Sequence, residues 1–375
     1  MTPALIRTTA RVVRGEGLGS AFRRAVERID ESLRLQTRIA RGVFARTGRA
    51  QLLNLLATSP SPRLGGLQIQ LLSRLREERA FRDVALLHPG VLEVGTHAWR
   101  SPRFPLVRAI AEAVARTGAR GIVIEGTHGL AIEELLPFDN VVLAVHDLSL
   151  MTEPSGQALL QHARAVIFPS AFLRDHYRAQ FEFSDSATHV IEPGIDVAAI
   201  DRTRGSRRRI AFAGNVRTHK GGDLLPAIIE ALPGEEWHIF GGGDEELLRA
   251  LRRMRNVFVH GYYRAGALPS LLHKHAIGLA LLPSIVPESH SLTLSECWLA
   301  GVPAVAFDHG AQAERIARSG GGWLAPLDEG AAGIANIVRR WLAGELTTSV
   351  PATVASSRDA ALSHVALYRS LGLLD

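Results

Sequence analysis

The chain reads as an α/β protein built from two Rossmann-like domains whose parallel sheets face one cleft. Short apolar runs alternate with helical stretches along most of the sequence, and they fall into two blocks of similar length. A polar stretch rich in Gly and Arg, Glu192 to Arg209, separates the blocks. With 375 residues, 46% of them apolar, the chain can fill two cores of ordinary size.

Residues 1–50 stand apart as an Arg-rich helical extension. They hold eleven Arg against Glu16, Glu27, Asp30 and Glu31, whereas the other 325 residues hold 32 basic and 33 acidic side chains. The formal charge of +6 therefore belongs to the extension and not to the fold. Phe22, Val26, Ile29, Leu33, Ala40 and Val43 recur at helical spacing, with Arg23, Arg24, Arg28, Arg34, Arg38 and Arg41 largely off that stripe. Two readings stay open: an amphipathic helix on an anionic membrane surface, or a helix docked on its own domain or a protein partner with Arg on the solvated face. Nucleic-acid binding is the weakest reading, because the basic charge is confined here and lacks interleaved aromatics. A single cysteine, Cys297, and the lack of a signal-peptide core or an apolar run of ~18 residues point to the cytoplasm, with peripheral attachment to the inner face of the membrane as an option.

Residues 51–195 form the first domain. Strands are expected at Leu52–Ala57, Val84–Leu87, Gly121–Glu125, Val141–His146, Ala165–Phe168 and His189–Ile191, each a short apolar run bounded by turn residues. A loop, Ser59–Gly66, and a helix, Leu67–Glu78, follow the first strand. Residues 196–208 read as a linker and 209–351 as the second domain, with strands at Ile210–Ala213, Trp237–Phe240, Val257–His260, Ile277–Leu282, Ala304–Phe307 and Trp323–Ala325. A helix over 352–373 ends the chain, and residues 352–375 are expected to complete the first domain.

The most informative stretch is Leu281–Gly310. A strand ends at Pro283-Ser284, a loop carries Glu288, and a helix opens near Ser291 with Glu296 about two turns in. In an open parallel sheet, the crevice outside the carboxyl ends of the strands is where ligands bind. Glu296 lies inside the helix, so the two carboxylates need not meet as an acid/base pair. The amides around Ser291, Leu292 and Thr293, at a helix start, suit an anion such as a diphosphate. Taken alone, two Glu eight residues apart would also describe a solvated surface.

Four further places sit at strand ends. Gly214 to Gly222 links a strand to a helix, and its amides with Arg217 and Lys220 suit a phosphate. It is not a Walker A sequence. Only Lys220 and Lys274 are lysine in this chain, so Lys220 asks for a reason, whereas His273-Lys274-His275 reads as a solvated helix face. The turn around Gly242 lacks the G-x-G-x-x-G spacing of dinucleotide sites. Gly65 and Gly66 allow close backbone approach, although alone they are only a turn. His146-Asp147 ends a strand and points into the crevice, where His146 can donate a hydrogen bond; His128 is similarly placed.

Together these pieces resemble the family 4 retaining glycosyltransferases of GT-B fold, over roughly residues 51–375 and most strongly over 209–326. Glu288 and Glu296 match the family's E-x7-E motif after Pro283-Ser284. Gly214 to Gly221 matches the strand-end loop ending in Lys-Gly, Gly65-Gly66 the first-domain glycine loop, and His146-Asp147 the His that faces the donor sugar. Pro193-Gly194-Ile195-Asp196 resembles the segment before the interdomain linker. This chain departs from the pattern at Asn215, where Arg is usual, and at Ser291, where Gly is usual, with His290 in the aromatic place. Neither change removes a backbone donor.

The resemblance implies transfer of a hexose-type sugar, with retention at the anomeric carbon and no required metal. No D-x-D occurs in the sequence. The donor would be a UDP- or GDP-linked sugar, a substrate and not a cofactor, held by the second domain. A saccharide or lipid-linked acceptor would lie mainly on the first, as in bacterial surface polysaccharide or glycolipid synthesis. Lys220, Arg217 and the helix start would stabilise the departing diphosphate, Glu296 would hold the ribose, and Glu288 and His146 would orient the sugar. No covalent nucleophile is assigned. A nucleotide-sugar epimerase, a phosphorylase or a non-catalytic assembly partner of the same fold are the alternatives.

Overall fold

The computed structural model of the protein describes residues 30–31, 33–42, 49–60, 66–196 and 205–375. Its first sheet contains β1 (Leu52–Leu55), β2 (Val84–His88), β3 (Val91–Val94), β4 (His97–Arg100), β5 (Gly121–Glu125), β6 (Val141–Ala144), β7 (Ala165–Phe168) and β8 (Thr188–Val190). The spatial order is 4-3-2-1-5-6-7-8. β1 is central, with Leu52 in register with Val84 on one side and Gly121 on the other. Its four residues are all buried, as expected of a parallel strand covered on both faces. Asn54, the one polar residue in it, donates to Ala85 O at 2.9 Å and accepts from Arg82 at 3.2 Å.

The antiparallel edge β3–β4 was not expected from the apolar pattern. Glu93 and Arg100 interrupt strands only four residues long, so neither registers as an apolar run. The surviving sequence signal is the pair of tight turns at Gly90 and Gly95, both with positive φ. This hairpin receives the helical residues 33–42. Arg38 forms an ion pair with Glu93 and donates to Gly95 O at 2.8 Å, and Gly42 lies so close that a Cβ there would meet Ala98 O at 2.0 Å. Arg38, assigned to a solvated face on sequence, is thus an anchor onto the chain's own first sheet. Phe22, Val26, Ile29 and Val43 of the apolar stripe lie outside the described residues.

The second sheet is wholly parallel. It contains β9 (Ser206–Ala213), β10 (Glu236–Phe240), β11 (Val257–Gly261), β12 (Ile277–Leu282), β13 (Ala304–Phe307) and β14 (Gly322–Ala325), in the order 11-10-9-12-13-14. β9 starts four residues before the expected Ile210 because Ser206 pairs with Ile277, and along this added stretch Arg207 and Arg208 are exposed and Arg209 half-buried. Apolar layers cover both faces, one around Phe212 and Trp237, the other around Phe240 and Leu282. The chain leaves β9 towards β10 on one side and later returns to β12 on the other. The strand order therefore reverses between β9 and β12, and the ligand crevice of such a sheet opens there.

The C-terminal helix, Ser357–Ser370, starts later than expected because Ser356 and Asp359 form a capping box. Its Val365 and Tyr368, with Leu373 beyond it, pack on Leu52, Val123 and Val142 of the first sheet. Beneath it lies a buried ionic network. Arg74 pairs with Glu78 at 2.6 Å and with Glu125, and reaches the Tyr368 hydroxyl at 3.2 Å. Complete burial would raise the Glu125 carboxyl, yet the Arg74 charge and a hydrogen bond from His146 hold it at about 2.

Candidate functional site

At the crevice between β9 and β12, two loops are sewn together. Ser284, just past β12, donates its hydroxyl to His219 O and Val286 O, both at 3.0 Å, and Ile285 N donates to His219 O at 3.1 Å. Gly221 has φ +74, and a Cβ there would meet Pro283 O at 2.0 Å, so only glycine permits this approach. The stitching brings Lys220 Nζ onto the Glu288 carboxylate as a half-buried ion pair. The sequence treated these two residues as separate contacts. The structure makes them partners.

Within the Gly214–Gly222 loop, several backbone amides are spent on shaping the turn. Gly214 N donates to Phe240 O, Val216 N to Gly242 O, Lys220 N and Gly222 N to Arg217 O, and Gly221 N to Thr218 O. These five donors build the loop, and Lys220 with the exposed Arg217 adds positive charge to it. Gly214 itself faces open space. Gly242 is a packing position, since a Cβ there would strike the Tyr262 ring at 2.0 Å. Gly66 begins the helix Gly66–Glu78, and Gly65 lies outside the described residues.

Ser291 is the helix N-cap and has φ +71, uncommon for a residue with a Cβ. Such a conformation costs about 1–3 kcal/mol and persists only where its surroundings fix it. Here Gln312 donates to Ser291 Oγ at 2.9 Å, and Arg315 donates to Ser291 O at 2.9 Å, His290 O at 3.1 Å and Ser295 Oγ at 2.7 Å. The clamp aims the first turn of the helix Leu292–Leu299, where the amides of Leu292 and Thr293 have no preceding intrahelical carbonyl. Neither Gln312 nor Arg315 was singled out in the sequence. Their only signal is position, on the buried face of the helix Gly310–Ser319 beside Ala311 and Ile316.

Glu296 is the fifth residue of its helix, just over one turn in, and is buried. Burial pushes its carboxyl up to about 7, against a hydrogen bond from the Gly266 backbone. The first sheet closes the other side. Ser170, after β7, donates its hydroxyl to Ser289 O at 2.8 Å, and His290 Nδ1 lies 3.2 Å from Pro169 O. Burial, and then Arg315, hold His290 well below the usual imidazole range, so its neutral Nδ1–H donates to Pro169 O. His146 follows β6 but keeps both ring nitrogens within its own domain, 3.4 Å from Glu125 and 3.5 Å from Gln70. Among the described residues, no hydrogen bond or ion pair joins it to Lys220 or Glu288. His128 is exposed. An apolar recess lined by Leu56, Leu87, Pro89, Phe104 and Leu130 opens at the carboxyl ends of β1 and β2.

With this geometry in view, comparison with known proteins is informative. Residues 207–343, the second sheet with its helices, match the family model described as Glycosyl transferases group 1. The fold is that of the GT-B glycosyltransferases. The chain is similar to sucrose-phosphate synthase from Thermosynechococcus elongatus, with a TM-score of 0.66 and 19% identity over 86% of this chain and 99% of that one. It is also similar to HepE from Anabaena in complex with UDP and glucose, with a TM-score of 0.61 and 17% identity over 86% and 98% of the two chains. A third similar structure is the lipopolysaccharide outer core galactosyltransferase WaaB, with a TM-score of 0.61 and 14% identity over 79% and 91%. No curated protein matches the sequence significantly. Among the described residues, no helix is long and apolar enough to cross a membrane.

Proposed function

We propose that this chain is a retaining glycosyltransferase moving a hexose-type sugar from a nucleoside-diphosphate donor to a saccharide or lipid-linked acceptor. The observation that carries this reading is the Lys220–Glu288 pair beside the clamped Ser291 helix start, at the point where the strand order of the second sheet reverses. When the bond from the anomeric carbon to the diphosphate oxygen breaks, negative charge grows on the leaving group. Lys220, Arg217 and the amides of Leu292 and Thr293 stabilise that charge, and no metal is needed for it. Lys220 exchanges Glu288 for phosphate, which frees the Glu288 carboxylate to bind sugar hydroxyls. His146 orients the same sugar from the first domain.

HepE, seen with UDP and glucose, supports a UDP-linked donor, with GDP as the other candidate base. The apolar recess on the first sheet supports a lipid-linked acceptor, and so favours work at the cytoplasmic face of a membrane. The test is a panel of nucleotide sugars, scored for nucleotide release with and without acceptor. A folded protein that binds no donor would refute the reading. Conversion of the donor alone into an isomeric nucleotide sugar would point instead to an epimerase.

In this reading Glu296 accepts both ribose hydroxyls, which requires its anion. Its carboxyl lies above the ordinary range, so the stability gained by burying it uncharged is full at acid pH and lost as pH rises through about 7. Donor affinity runs the other way and should rise about tenfold from pH 6 to pH 8 for a group titrating near 7. Calorimetry across that range checks this, and Glu296→Gln should flatten the profile. An unchanged slope in the variant would remove Glu296 from the ribose site.

A further inference from the structure

Away from the Lys220–Glu288 pair, three histidines from three elements converge on one face of the second sheet. His238 comes from β10, His260 from near the end of β11, and His275 from the C-cap of the helix Leu268–Lys274. Their ligand-capable nitrogens all lie within 4.8 Å of one another. His238 Nδ1 and His260 Nε2 are 2.9 Å apart, and the His260 and His275 ring centroids are separated by 4.4 Å. His275, read from sequence as part of a solvated face with His273 and Lys274, turns inward while those two stay exposed.

We propose that His238, His260 and His275 form a binding site for a late first-row divalent metal ion, zinc foremost. Three imidazoles suit Zn²⁺, Ni²⁺ or Cu²⁺, whereas Mg²⁺ and Ca²⁺ require oxygen ligands. The tautomers fit. His238 Nε2 lies 3.1 Å from the Glu236 carboxylate, so it carries the proton and donates, leaving the Nδ1 lone pair to face the cluster. A carboxylate behind a ligating histidine is the usual supporting arrangement. His260 Nε2–H is the proton now lying between the two rings. Its transfer to His260 Nδ1 exposes a second lone pair without any change in charge. Zn–N bonds of about 2.0–2.1 Å in tetrahedral geometry place ligand nitrogens about 3.4 Å apart, so the close pair need open only slightly.

Metal binding uses the neutral imidazole of each ring. His238 is buried, His275 half-buried and His260 exposed, which gives an ion a route in and room for water as a fourth ligand. The site would tie β10, β11 and the Leu268–Lys274 helix together. The segment leaving His260 places Tyr262 against Gly242 and the Gly266 amide on Glu296, so metal binding would firm the wall behind that carboxylate.

The test uses the full-length chain without a histidine tag, stripped with chelator and titrated with zinc chloride by calorimetry. Binding of one ion per chain is expected, with millimolar magnesium failing to compete and the melting temperature rising with zinc. His260→Ala and His275→Ala should each weaken binding about tenfold or more and abolish the melting shift. His97→Ala should change neither. Circular dichroism of the metal-free variants checks folding, and two independent substitutions at the rim of the cluster guard against the loss of one. Absence of saturable zinc binding by the wild-type chain would overturn the proposal, as would binding that both cluster variants leave unchanged.

Discussion

Lys220→Ala should lower sugar-transfer turnover by about 10²–10³, the usual consequence of removing one preorganised donor from a site of developing charge. The ammonium sits on the Glu288 carboxylate at the crevice mouth, held there by the stitching of Ser284 to the His219 carbonyl. Its side chain is a third exposed, and partly exposed ion pairs contribute at most about 1 kcal/mol to stability. Folding should therefore change little while catalysis collapses. Because the charge acts mainly as the diphosphate departs, kcat should fall more than KM rises. Steady-state kinetics beside a thermal melt separates the cases. Turnover close to wild type, or a stability loss matching the activity loss, would make Lys220 a structural residue.

Arg315→Leu should destabilise the chain by about 3 kcal/mol and abolish donor binding. The guanidinium is buried, with burial pushing it down to about 10, and it donates to three acceptors while resting 5.0 Å from the Trp298 ring centroid. Leucine leaves His290 O, Ser291 O and Ser295 Oγ short of a donor, and each such buried acceptor costs about 1–3 kcal/mol less whatever water recovers. Ser291 then loses half the clamp that holds its positive φ, so the turn relaxes and the helix amides no longer converge. Chemical denaturation and donor calorimetry read the two effects. A change within about 0.5 kcal/mol, typical of an indifferent surface position, would mean that Arg315 does not hold the Ser291 turn.

These two residues also show what the sequence could reveal. Lys220 was visible because lysine is rare in this chain and sits in a Gly-rich turn between a strand and a helix. Arg315 was not, because an arginine in an amphipathic helix reads as its polar face, and only the fold turns it inward. The parallel strands were legible because burial on both faces demands unbroken apolar runs, as in β6 and β12. The short β3–β4 hairpin was not, since charged residues interrupt it and one of them, Glu93, is used to hold Arg38. In the loop after β9 the glycines were visible, but the bonds their amides make were not. The amides of Gly214, Gly221 and Gly222 all donate to backbone carbonyls that shape the turn. His275 was hidden in the same way as Arg315, within a stretch whose neighbours are exposed.

In the proposed function, the crevice between β9 and β12 holds a nucleoside diphosphate by charge on one side and by a carboxylate on the other. A crystal structure of the chain soaked with UDP, or with GDP should UDP not bind, tests it most directly. The diphosphate is expected within hydrogen-bond distance of Lys220 Nζ and the Leu292 and Thr293 amides, with the Lys220–Glu288 pair opened and both ribose hydroxyls on Glu296. A nucleotide bound elsewhere, or bound here with Lys220 still on Glu288 and Glu296 untouched, would contradict it.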